Sequence, residues 1–162
     1  MQPIRFDWKL NDAHPLNVQY IRHAPGKANR PADMHSSVHI GILIHGDTCG
    51  LHNGELVSVP EGGIYLTAPW EQHQTVGSKN GNDLLLITAD PDAVARSLLS
   101  GAEKLNQLYR IPPAKRQTIL NTLKIGHRQT SRVIRLLEEP DTPERELRLW
   151  HAALGFFMEI SL

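Results

Sequence analysis

Residues 35–73 read HSSVHIGILIHGDTCGLHNGELVSVPEGGIYLTAPWEQH, and this stretch decides the fold. The apolar run from Val38 to Ile44 predicts a buried strand. Asn53-Gly54 is a tight-turn signal, because both central residues of a short hairpin turn must tolerate φ > 0. Two short strands follow, Glu55 to Val59 and Ile64 to Ala68, separated by Pro60-Glu61-Gly62-Gly63. Closely spaced strands broken by Gly and Pro predict an antiparallel sandwich or barrel. Histidines at the start and end of the stretch suggest a barrel mouth that binds something.

Outward from this stretch, more strands are predicted at Leu16 to His23, His73 to Gly77 and Asp83 to Thr88, with a second turn signal at Asn80-Gly81. The polar segment Pro25 to Pro31 is placed to close over the mouth. From Pro91 the hydrophobic period changes to that of helices. Asp90 sets a capping residue before a proline at the first helical position. Further amphipathic stretches run near Leu105–Tyr109, Ala114–Lys124 and Thr130–Glu138. Thr142-Pro143-Glu144 opens the last helix. The expected organisation is therefore a mainly β unit over residues 1–90 and a helical segment over 91–162. The last helix ends on apolar residues with no terminating Gly or Pro, so a longer protein is expected.

Composition narrows the functional classes. Seventeen basic residues balance seventeen acidic ones among 162, which argues against a self-contained nucleic-acid binder. One cysteine, Cys49, excludes an internal disulfide framework. With no signal peptide and no apolar run near the ~20 residues of a membrane span, a soluble cytoplasmic protein is expected.

Asp33-Met34-His35, the strand ending at Gly46, His52-Asn53-Gly54-Glu55, Pro60-Glu61-Gly62-Gly63 and Pro69-Trp70-Glu71-Gln72-His73 occur in an order that resembles a known pattern. It is that of the cupins, and more closely the N-terminal sensor domain of the AraC/XylS transcription regulators. The resemblance implies a cupin-like double-stranded β-helix barrel followed by a helical dimerisation segment. It implies an effector-sensing role, with a small molecule or metal inside the barrel, homodimerisation, and DNA bound through a C-terminal domain outside this chain. Two positions depart from the cupin pattern: Asp33 stands where a first His is usual, and His39 where Glu is usual. A stand-alone metal-dependent cupin enzyme, an oxygenase or isomerase, is the alternative.

The chemistry-bearing candidates are few. His35, His39 and His73 would give a three-imidazole metal site, with Asp33 as a possible fourth ligand, suited to Zn, Fe or Ni. On a regular strand His35 and His39 would lie ~13 Å apart. The site therefore requires Ser36-Ser37 to bend the chain so that His35 enters from a loop. The competing reading is a polar cavity without metal. Trp70, Arg22 and His23 are candidate ligand contacts, and Arg30 could face a carboxylate or hydroxyl ligand. His45 lies ~20 Å along the strand from His39 and is set aside; His52, before the turn, is expected to be exposed. Leu147, Trp150, Leu154 and Phe157 form an apolar helical face suited to dimerisation. Residues 119–134 have helix–Gly turn–helix character with Arg128, Arg132 and Arg135, which suggests either a recognition helix or a helical hairpin packed on the barrel.

Overall fold

The computed structural model describes residues 4–5, 10, 13–28, 30–123 and 127–161. Among these residues ten strands precede five helices. The strands are β1 (Ile4–Arg5), β2 (Leu16–His23), β3 (Gly26–Lys27), β4 (Asp33–Met34), β5 (Val38–Gly46), β6 (Thr48–His52), β7 (Glu55–Val59), β8 (Ile64–Thr67), β9 (His73–Ser78) and β10 (Asn82–Ala89). The helices are α1 (Pro91–Leu98), α2 (Gly101–Arg110), α3 (Pro113–Leu120), α4 (His127–Glu138) and α5 (Pro143–Ile160).

Two sheets face each other. One has the order β2-β10-β5-β8; the other runs β1-β4-β9-β6-β7, with β3 also paired to β9. All pairings are antiparallel except the short β1–β4 contact. Taking β3 and β4 as one interrupted strand, the chain crosses between the sheets at every step except the β6–β7 hairpin, which gives two Greek keys in the jelly-roll arrangement. The fold is thus mainly β with C-terminal α, a cupin-type barrel followed by helices.

Burial explains the unbroken apolar run in β5. Its outward residues Val38, Ile40 and Ile42 join Ile64, Leu66, Leu85 and Ile87 in one core with Val94, Leu105, Phe156 and Phe157 of the helices. The inward Leu43 packs instead with Val57, Val59 and Leu84 inside the barrel. A strand covered on both faces has no solvent side and so shows no polar alternation.

Local signals act as expected at three places. Asn53 and Gly54 both have positive φ, 48° and 82°, and close the β6–β7 hairpin. Asp90 caps α1 through a bond from Ala93 N at 2.8 Å. Thr142 caps α5 by accepting from Arg145 N at 3.2 Å.

Elsewhere the structure corrects the sequence. Asn80-Gly81 is no hairpin: β9 and β10 belong to different sheets, and of the two residues only Gly81 has positive φ. Strand β6 escapes prediction because Thr-Cys-Gly-Leu-His lacks an apolar alternation. Helix α3 is shorter than the amphipathic reading, and its buried face includes the polar Arg116 and Gln117. Gln117 donates to the Ile64 carbonyl at 2.8 Å, tying α3 to β8. The helix-turn-helix lookalike therefore begins in a helix packed on the barrel; its Gly126 turn lies outside the described residues. In α4, Val133 and Leu136 are buried while Arg128, Arg132 and Arg135 are exposed.

The buried face of α5 consists of Leu149, Ala152, Ala153, Phe156, Phe157 and Ile160. This face is rotated from the one read in the sequence. Phe157 is wholly enclosed in the chain's own core and is not available to a partner, whereas Leu147 is 55% exposed. Trp150 and Leu154 are half-buried. Among the described residues no helix is long and apolar enough to cross a membrane.

Candidate metal centre

Ser36 and Ser37 form a bend ahead of β5. That bend takes His35 out of the strand and folds it back over His39, so the two imidazoles stack with centroids 3.8 Å apart. His73, the first residue of β9, meets them edge-on with centroids at 4.9 Å from His35 and 5.8 Å from His39. One ligand atom from each of the three rings lies within 4.8 Å of the others. Donors around a tetrahedral ion with ~2.0–2.1 Å bonds sit about 3.3 Å apart, so a small inward adjustment closes the set.

Hydrogen bonds orient two of the rings. His35 Nδ1 lies 2.9 Å from the Ser37 carbonyl, so Nδ1–H donates there and Nε2 keeps the lone pair. His73 Nδ1–H donates to the Glu71 carbonyl at 3.1 Å, and its Nε2 faces Asp33 Oδ1 at 2.9 Å. His39 Nε2 stands 3.4 Å from Ser37 Oγ.

Electrostatics separates the members. Burial, and then the neighbouring imidazoles, push His39 well below the ordinary histidine pKa, so it stays neutral and ready to ligate. Burial also opposes charge on His73, but its hydrogen bond and attraction to Asp33 outweigh that and raise it. Desolvation works against the Asp33 carboxylate as well, and the His73 bond again prevails, lowering its pKa. A bound cation would take the place of the His73 Nε2 proton, with Asp33 alongside. The donor set, three imidazoles with one held neutral by burial, fits a divalent transition metal. When bound, such an ion supplies Lewis acidity and an open position.

The imidazoles line a cavity of about 320 Å³ that also meets Gln19, Ile21, His23, Tyr65 and Thr67. Arg30 and Pro31, from the segment expected to close the mouth, line it too. That segment is fastened by β3 to β9 and by Gln74 Nε2 donating to the Arg30 carbonyl at 2.7 Å.

Of the other sequence candidates, His23 lines this cavity. Arg22 points away, 75% exposed at its side chain and paired with Asp83 at 2.9 Å. The reason is strand alternation: His23 and Arg22 are neighbours and must face opposite sides. Trp70 is 56% exposed with φ of 62° and does not line the cavity, although its N–H donates to the His35 carbonyl at 2.7 Å. His45 is 70% exposed at its side chain.

A second buried cluster adjoins the first. His52, expected at the surface, is buried, and its Nδ1 lies 2.6 Å from Glu71 Oε1. Arg116 of α3 reaches the same carboxylate at 2.7 and 2.5 Å. Burial would raise the Glu71 pKa, but the His52 hydrogen bond and the Arg116 charge hold it below its ordinary value. Sequence reasoning missed this cluster. Its one signal was a polar pair, Arg116-Gln117, inside an otherwise amphipathic stretch.

Strand order and converging imidazoles together define a cupin-type jelly roll with a three-histidine centre in its mouth. Comparison with solved structures finds partial likenesses that each cover under half of this chain. Bacillus subtilis oxalate decarboxylase is 20% identical over 47% of this chain, with a TM-score of 0.43, and this chain spans 21% of that one. A cupin protein from Bacteroides fragilis is 17% identical over 47% of this chain and 66% of its own, TM-score 0.43. The EutQ protein of Clostridium difficile is 13% identical over 47% of this chain and 57% of its own, TM-score 0.41. No family model matches the chain, and no curated protein matches it.

Proposed function

We propose that this chain is an effector-sensing barrel of the kind found in AraC/XylS-type transcription regulators. It takes a divalent transition metal at His35, His39 and His73, and a small molecule in the cavity beside them. The observation that carries this reading is the convergence of three buried or half-buried imidazoles on one point at the edge of a cavity. The helical segment gives such a site something to act on. Arg116 of α3 ends on Glu71, two residues from His73 and hydrogen-bonded to it through its carbonyl. Occupancy would favour one arrangement of barrel and helices over another by differential affinity, with no chemical step required. Homodimerisation through the exposed part of α5, around Leu147 and Trp150, and DNA binding through a further domain belong to the same proposal.

Elemental analysis of the purified protein tests it, run beside His35→Ala, His39→Ala and His73→Ala. The expected result is near one metal per chain, lost in all three variants. Absence of metal from every sample, even after incubation with Zn or Fe salts, would sink the metal site and leave an organic-effector pocket. Turnover of a substrate by an iron-loaded sample would instead favour a cupin enzyme.

A further inference from the structure

Two threonines flank His39 on the inner face of the barrel. Thr67 on β8 and Thr88 on β10 are its directly opposed partners on either side, so all three side chains share one face. Both threonines are wholly buried, and neither hydroxyl has a hydrogen-bond partner among the described residues. Buried hydroxyls without partners are rare in native interiors, because the lost hydration is not replaced. Thr67 also lines the cavity that holds the imidazoles. It therefore presents an unused donor beside the proposed metal.

Charge narrows what that donor is for. Three neutral imidazoles leave the double charge of a divalent ion intact. Among the described residues that line the cavity, Asp33 is the one carboxylate and Arg30 the one guanidinium, so together with the ion they carry a net positive charge. The neighbouring Glu71 adds nothing to offset this, since Arg116 already neutralises it. Away from the imidazoles Ile21, Leu84 and Leu86 form an apolar patch in a wall that also carries the polar Gln19, His23, Gln74 and Thr75. At ~30 Å³ per water-sized unit, about 320 Å³ holds on the order of ten non-hydrogen atoms.

Resting on the metal reading above, we propose that the cavity's ligand is a small carboxylic acid with an apolar body. Its carboxylate is drawn to the metal and accepts a hydrogen bond from Thr67 Oγ1, while its body packs on Ile21, Leu84 and Leu86. Thr67 is then the residue that selects a carboxylate over a neutral group of the same shape.

Calorimetric titration of the full chain tests this in two stages. Zn alone is titrated first into the wild type, Thr67→Val and Thr67→Ser; all three are expected to bind it equally, which also shows that the variants fold. Acetate, hexanoate and benzoate are then titrated into the Zn-loaded proteins, each beside its amide. At least one acid is expected to bind the wild type tenfold or more tightly than its amide, and to need Zn. Thr67→Val should weaken that acid about tenfold to hundredfold, the worth of a hydrogen bond to a charged acceptor, and Thr67→Ser should retain most of it. Zn binding without binding of any acid, or equal acid affinity in Thr67→Val, overturns this proposal and leaves the metal site standing. Failure of Zn to bind the wild type overturns both.

Discussion

Two buried clusters of three polar side chains lie against each other, and they are built on opposite principles. In one, His52, Glu71 and Arg116 cancel a carboxylate with a guanidinium and a ring N–H, and Arg116 Nη1 is the buried atom of this cluster that has no partner among the described residues. In the other, His35, His39 and His73 bring one nitrogen each within 4.8 Å of the others, with Asp33 bonded to His73 at the edge. The rings of His52 and His73 are 5.8 Å apart, so the contrast does not come from distant places in the fold. It comes from charge balance. A carboxylate beside cations satisfies itself and locks structure, whereas like groups facing one another need a third party of opposite character. The first cluster holds the barrel to its helices; the second is a donor set whose chemistry fits a metal ion.

The sharpest way to break that contrast is at Arg116. Arg116→Ala leaves the Glu71 carboxylate buried with its main counter-charge gone, and is expected to cost about 3–5 kcal/mol in denaturant unfolding. The double variant Glu71→Gln/Arg116→Met should cost clearly less than the single one, since no lone charge remains. Equal losses would mean that the pair is not the source of the stabilisation. Zinc affinity should change little in the double variant.

The histidine cluster should behave in the reverse way, depending on ligand more than on packing. Zn at about a hundred times its dissociation constant is expected to add about 2.7 kcal/mol, a rise in Tm of roughly 5–10 °C for a chain of this size. His39→Ala should abolish the rise. A shift that survives in that variant would place the ion elsewhere.

Tyr65 stands between the two clusters, lining the cavity on one side and meeting His52 edge-on at 6.2 Å. Its ring lies across Gly41, where an added Cβ would come within 2.0 Å of Tyr65 Cε1. Gly41→Ala must therefore displace the ring, at a cost of about 1–3 kcal/mol, and reduce the room available to a ligand. Ligand affinity unchanged in a destabilised Gly41→Ala protein would show that Tyr65 does not bound the site.

The smallest effect is expected from acid. Because Glu71 titrates below its ordinary value when folded, its stabilisation is complete above about pH 4.5 and is lost as the pH falls below that, toward the folded value. The loss of stability between pH 5 and 3 should be shallower in Glu71→Gln than in wild type. Identical acid profiles would remove Glu71 from the account of acid sensitivity.

Much of this was legible in the sequence, and the exceptions share a cause. Strands β2 and β7 were read with their observed limits, because punctuation by Gly, Pro and Asn is local chemistry. The histidine triad was readable because one visible condition, the Ser36-Ser37 bend, removed the geometric objection to it. What escaped depended on partners far along the chain. His52 looked exposed beside its turn until α3, some sixty residues later, covered it. Arg116 and Glu71 are unremarkable singly and gain meaning only as a pair. The α5 face was misplaced because its buried side is set by what packs on it, so Phe157 belongs to the core and Leu147 does not. Arg22 and His23 shared a reading that strand alternation forbids them to share.

The double burial of β5 has a consequence of its own. The sheet β2-β10-β5-β8 is a partition one residue thick between two chambers, the cavity and the helical core. Adjacent residues serve different rooms: His39 lines the cavity, while Val38 and Ile40 touch the helices' side. Close-packed interiors transmit small displacements instead of absorbing them. Tightening His39 onto a ligand would therefore press on the far chamber through the strand itself, as a tug on one thread of a curtain moves both its faces.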